Sequence, residues 1–107
     1  MRVIEDIDSN EVIKEDIVIT NFSTFRTRGI VNGNVHVEDG STLLLHGTLN
    51  GDLLTAQNSV SYIHGTMNGS ILPSEGKIEL SGMLNTKSSV PENVVKIEGC
   101  YINKIKY

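Results

Sequence analysis

Two histidines, His46 and His64, stand 18 residues apart, and each directly precedes a glycine. Imidazoles repeated in this way can share a metal ion if the fold stacks them, but a competent centre needs three or four ligands. The residues at the same offset on either side are Arg28 and Ser81. Neither is a good ligand, so a solvated histidine pair is the expected state. His36 stands outside this spacing. A row of carboxamides, Asn32, Asn50, Asn68 and Asn85, recurs at steps of 18, 18 and 17. Stacked amides can hydrogen-bond to one another as a ladder, act as left-handed turn residues, or offer a polar strip to a ligand. Of these, the ladder or the turn is expected. The single cysteine, Cys100, has no basic neighbour in sequence to activate its thiol, and is expected outward or at an end. No Ser/His/Asp or Cys/His set falls at a useful spacing. The residues therefore describe a non-enzyme with no catalytic, cofactor or metal site.

The histidines and asparagines belong to a longer repeat. "RGIVNGNVHV" begins at Arg28, "HGTLNGDLLT" at His46 and "HGTMNGSILP" at His64. Leading glycines stand at Gly29, Gly47, Gly65, Gly82 and Gly99, in steps of 18, 18, 17 and 17. A second set, Gly33, Gly51 and Gly69, follows four residues later. Aligned on the first set, aliphatic residues fall into columns. Val31, Leu49, Met67, Leu84 and Tyr101 form one, and Val35, Leu53, Ile71, Ser88 and Ile105 another. A third runs Phe25, Leu43, Ser61, Ile78 and Val95, and a fourth Leu45, Ile63, Leu80 and Ile97.

Apolar residues at alternate positions mean strands, and no sustained helical period competes. A hairpin meander would not place like residues over like. Columns four or five copies deep require in-register parallel stacking about 4.8 Å apart. The predicted fold is all-β: a single-domain parallel β-solenoid with three short strands per 18-residue coil and about five coils. Residues 1–10 are expected as an N-terminal cap, 11–85 as stacked coils, 86–93 as a loop and 94–107 as a last partial coil. The eight column glycines are expected at corners, where positive φ or close backbone approach excludes a side chain. The remaining corner falls in "EDGST", "AQNSV" and "PSEGK".

Composition bounds the function. A chain of 107 residues is one domain by length, and a net charge of −4 argues against nucleic acid or an anionic membrane as partner. No stretch approaches 18 apolar residues, and a lone cysteine fits a reducing compartment, so a cytoplasmic address is expected. Residues 1–52 hold nine acids and four bases, whereas residues 53–107 hold four acids and five bases. In a solenoid, sequence order is axial order, so one end is acidic and the other weakly basic. Outward apolar residues form stripes: Val18, Leu54 and Leu72 in one column with His36, and Leu44 and Tyr62 in another, followed by Glu79 and Lys96. With Tyr101, Ile105 and Tyr107 at the far end, these are the candidate interface residues.

The runs "GIVNGNVHV", "HGTLNGDLLT" and "HGTMNGSIL" resemble the bactofilins, polymer-forming cytoskeletal proteins of bacteria, over roughly Gly29 to Leu80. The resemblance implies a right-handed, three-sided parallel β-helix that assembles end to end without nucleotide. The Pro-rich or charged tails that often flank the family's core are missing from this chain. Left-handed hexapeptide acyltransferases also use 18-residue coils, but their repeat puts an aliphatic before the small residue. Here those positions hold Arg28, His46, His64, Ser81 and Glu98. Two functions follow. One is a structural protein that self-associates through its coil ends or side by side. The other is a small acidic immunity or inhibitor protein that covers a basic toxin or nuclease.

Overall fold

Like residues at 18-residue intervals can share one column only if each copy lies over the last, and the computed structural model of the protein has that arrangement. It describes residues 1–72 and 75–107. Pro73 and Ser74, which open the expected "PSEGK" corner, lie outside the described residues.

Among the described residues there are seventeen strands, numbered in chain order, in three sheets. The first sheet stacks β1 (Arg2–Val3), β4 (Ile17–Ile19), β7 (Val35–Val37) and β10 (Leu53–Thr55). The second stacks β2 (Ile7–Ser9), β5 (Thr24–Thr27), β8 (Thr42–Leu45), β11 (Val60–Ile63), β13 (Lys77–Leu80) and β15 (Val94–Lys96). The third holds β3 (Val12–Ile13), β6 (Ile30–Asn32), β9 (Thr48–Asn50), β12 (Thr66–Asn68), β14 (Met83–Asn85), β16 (Tyr101–Ile102) and β17 (Ile105–Lys106). The protein is an all-β parallel solenoid of about six turns, with three strands per coil, in a single compact domain. No helix among the described residues is long and apolar enough to cross a membrane.

The extra layer relative to the expected five comes from residues 1–10. They carry β1 and β2, which pair in register, Val3 with Ile19 and Ile7 with Phe25. Val3 and Ile7 keep the apolar alternation although this first coil has no glycine.

Inward side chains from the three sheets meet along the axis. Ile17, Ile19, Phe25, Leu43, Leu49, Leu53, Ile63, Met67, Ile78 and Leu84 are fully buried. Each aliphatic burial of this kind stabilises by about 1.5–3 kcal/mol before entropy is counted. Hydroxyls interrupt these columns at buried Thr27, Thr55 and Ser61, the last between Leu43 and Ile78.

The leading glycines from Gly29 to Gly82 answer to close approach rather than to an unusual φ. A Cβ on Gly47 would overlap the carbonyl oxygen of Gly29, and one on Gly65 that of Gly47. Within the stacked coils, positive φ recurs at the corner between the first and second sheets. Phe22 (φ 57), Gly40 (φ 74), Asn58 (φ 62) and Gly76 (φ 91) all adopt the left-handed conformation there. Phe22 is an unusual occupant of it, since bulky residues pay a steric penalty in this region.

The last coil departs from the expected columns. Val94, not Val95, pairs with Ile78, and Ile102, not Tyr101, pairs with Leu84. Lys96 lies opposite Leu80, so Val95 rather than Lys96 continues the outward Leu44, Tyr62 and Glu79 column. Cys100 rather than Gly99 therefore follows Gly82; Cys100 lies in the last coil, at the end position expected as one alternative, but is fully buried and not outward. The cause is local. Residues 86–93 form no strand, so nothing there holds the count. Gly99 sits in a turn with φ 94. Ile105 does not stack beneath Ile71. Strand β17 instead turns back and pairs antiparallel with β16 through the two-residue turn Asn103–Lys104, both at positive φ.

Candidate functional site

The residue before each of Gly29, Gly47, Gly65 and Gly82 directly follows a strand of the second sheet, at the corner with the third. Stacking brings Arg28, His46, His64 and Ser81 into one exposed column. The His46 and His64 rings lie face to face, with centroids 5.0 Å apart and planes 9° from parallel. The Tyr62 ring lies 6.0 Å from that of His64 at 11°. His64 Nδ1 and Ser81 Oγ share a hydrogen bond of 2.6 Å.

Charge gathers at the upper end of this column. Asp8, on β2, is the register partner of Arg26 on β5. Asp8 Oδ2 lies 3.7 Å from Arg26 Nη1 and 3.7 Å from Arg28 Nη2. Partial desolvation pushes the His46 imidazolium down from its ordinary pKa. The positive charges of His64, Arg26 and Arg28 push the same way, against an opposing pull from Asp8. Among the described residues no three His, Cys, Asp or Glu side chains could hold a metal ion. Parallel imidazoles also project their nitrogens side by side rather than toward one point. Among the described residues no carboxylate bonds to the His64 ring, so the Ser81–His64 pair shows no orienting partner of the kind a nucleophilic triad uses.

The asparagine row is hydrogen-bonded along the axis. Asn50 Nδ2 donates to Asn32 Oδ1 at 2.8 Å, Asn68 Nδ2 to Asn50 Oδ1 at 2.9 Å, and Asn85 Nδ2 to Asn68 Oδ1 at 2.8 Å. A second ladder, not foreseen, runs beside it. Asp16 Oδ1 accepts from the Asn34 amide, Asn34 Oδ1 from the Asp52 amide, and Asp52 Oδ1 from the Ser70 amide, at 2.8, 2.9 and 2.9 Å. Its signal was the polar residue after each second glycine. These side chains are committed to the stack.

The outward stripes fall on separate faces. Val18, His36, Leu54 and Leu72 line a groove of about 260 Å³ on the first sheet, with Asp16, Asn34 and Asp52 also on its wall. Leu44 and Tyr62 lie together on the second sheet, half-buried. Tyr101, Ile105 and Tyr107 gather at the C-terminal end, where Tyr107 lies under the Lys96 ammonium at 5.2 Å. The structure thus does not unite the candidate interface residues into one surface. Arg26 and Asp8 were missed because each looks like an ordinary solvated charge until β2 and β5 are set in register.

No protein-family model matches the chain, and no curated protein or solved structure matches it.

Proposed function

We propose that this chain is a non-enzymatic structural protein, a bactofilin-like solenoid that associates end to end with copies of itself as a cytoplasmic scaffold. The observation that carries the reading is the character of its terminal layers. Strands β1, β2 and β3 have a hydrogen-bonded neighbour on one side only, and so does β15. Unpaired strand edges recruit further strands. Residues 1–16 hold six acids against Arg2 and Lys14, whereas residues 94–107 hold Lys96, Lys104 and Lys106 against Glu98. Opposite charge at the two ends favours head-to-tail contact. Because β17 covers β16, the contact that fits runs through the second sheet, with β15 of one copy beside β2 of the next.

The test is molecular mass by light scattering, with negative-stain microscopy, across protein and salt concentration. Growth that salt suppresses is expected. A monomer or closed dimer under every condition overturns the proposal.

The groove on the first sheet favours a second reading, an acidic immunity or inhibitor protein seating a basic partner. Its apolar column is flanked by Asp16 and Asp52. Under that reading Leu54→Asp abolishes capture of the partner while end-to-end association, if present, is unchanged.

A further inference from the structure

The corner column before the leading glycines concentrates cationic side chains on a molecule whose net charge is −4. Arg26 and Arg28 converge on a single carboxylate, Asp8, at 3.7 Å each. That distance is an ion pair but lies beyond hydrogen-bond reach. Neither guanidinium donates a side-chain hydrogen bond among the described residues, so both forks keep their N–H groups unmatched. His46 stands one coil below Arg28 and stacks on His64, so imidazole edges continue the row of donors down the axis.

We propose that Arg26, Arg28 and His46, extended by His64, form a binding site for a small tetrahedral dianion of the phosphate or sulfate type. The chemistry favours this class. A guanidinium fork pairs with two oxygens of one oxyanion, and such charge-assisted bonds are among the strongest available at a surface. One carboxylate presents two oxygens in a plane and a single charge, so Asp8 cannot satisfy two forks and an imidazolium together. A tetrahedral dianion has oxygens that diverge, and it reaches donors on two successive coils at once. Asp8 is then a built-in competitor that keeps the two arginines side by side while the site is empty.

The groups facing His46 also set the pH dependence. His64, Arg26 and Arg28 oppose its protonation and Asp8 favours it. A bound dianion screens the three cations and favours the imidazolium, so binding strengthens as pH falls into the histidine range.

The experiment follows the ring signals of the three histidines by NMR in the full chain, adding inorganic phosphate against chloride at equal ionic strength. His36 lies on the first sheet, away from the column, and serves as the internal control. The His46 and His64 signals are expected to shift saturably, with the His46 titration midpoint moving up, while His36 responds to phosphate as it does to chloride. Arg28→Ala, at a half-exposed position, weakens binding about tenfold through loss of charge-assisted bonds. Asp8→Asn tightens it. If all three histidines respond alike, or if Arg28→Ala binds phosphate as the parent does, the site does not exist. If Asp8→Asn binds no tighter, Asp8 is not the competitor, and the geometry proposed here is wrong.

Discussion

The middle coils and the last coil descend from one repeat, but they are held to it by different means. From Gly29 to Asn68 every layer repeats three contacts: glycine against the carbonyl above, amide to amide along the asparagine row, and side-chain oxygen to backbone amide along the second ladder. These contacts hold each coil in register on the last, and the glycine contact and amide row do so across a 17-residue step as well as 18-residue ones. Beyond Asn85 the glycine contact and the amide row lapse, and the Thr86 amide instead donates to Asn103 Oδ1 in the coil below. Ile78 reaches Val94 in 16 residues while Leu84 reaches Ile102 in 18, and β17 then reverses direction. An aliphatic column alone does not keep count, because a slipped strand can still bury a Val or a Cys. Polar and steric contacts that recur once per turn do keep it.

The largest effect that could break this contrast is steric. Gly65→Ala places a methyl group against the backbone of the previous coil, and is expected to cost about 4 kcal/mol or to prevent folding. Gly99→Ala meets no atom within 4 Å and costs about 1 kcal/mol, for its positive φ alone. Urea unfolding of both variants measures the difference, and equal losses would remove the distinction between the two regions.

Core truncation comes next. Leu49→Ala leaves a cavity in a fully buried column and is expected to lose about 2–5 kcal/mol. Ile105→Ala, at a position 63% exposed, is expected to stay within about 0.5 kcal/mol of the parent.

The polar ladder is a smaller lever. Asn50→Ala removes one donor and one acceptor from the row, with an expected loss of about 1–2 kcal/mol. Asn93→Ala breaks a single bond, from Nδ2 to the Gly76 carbonyl, and is expected to lose about half as much.

The smallest effect is that of pH. In the folded chain His46 binds its proton less readily than the ordinary value of 6.5 implies, so the unfolded chain takes up more protons as pH falls. Stability is therefore complete above that value and declines as pH drops through it. The decline should be shallow and should weaken with salt, because the ring is exposed. His46→Gln is expected to flatten it.

Much of this architecture was legible because the same constraints act on every coil. Gly29, Gly47 and Gly65 mark the close approach, and the aliphatic columns mark the faces. What stayed hidden had local causes. The left-handed corner repeats at Gly40, Asn58 and Gly76, but Phe22 occupies it first and masks the column. The burial of Cys100 was hidden because the 17-residue step from Gly82 to Gly99 matches the repeat by coincidence, while the register follows Tyr101 under Met83. The cluster of Asp8, Arg26, Arg28 and His46 draws on the first coil, where no glycine marks the phase.

End-to-end association through the second sheet is tested most directly by native-state hydrogen exchange at low and high protein concentration. Amides of the middle coils, such as those of β9 and β12, should exchange equally slowly in both. At high concentration, protection should rise at Ile7–Ser9 and Val94–Lys96, the two end strands of the second sheet. Unchanged exchange in those two strands, with mass growing all the same, would contradict the account and move the contact to a lateral face.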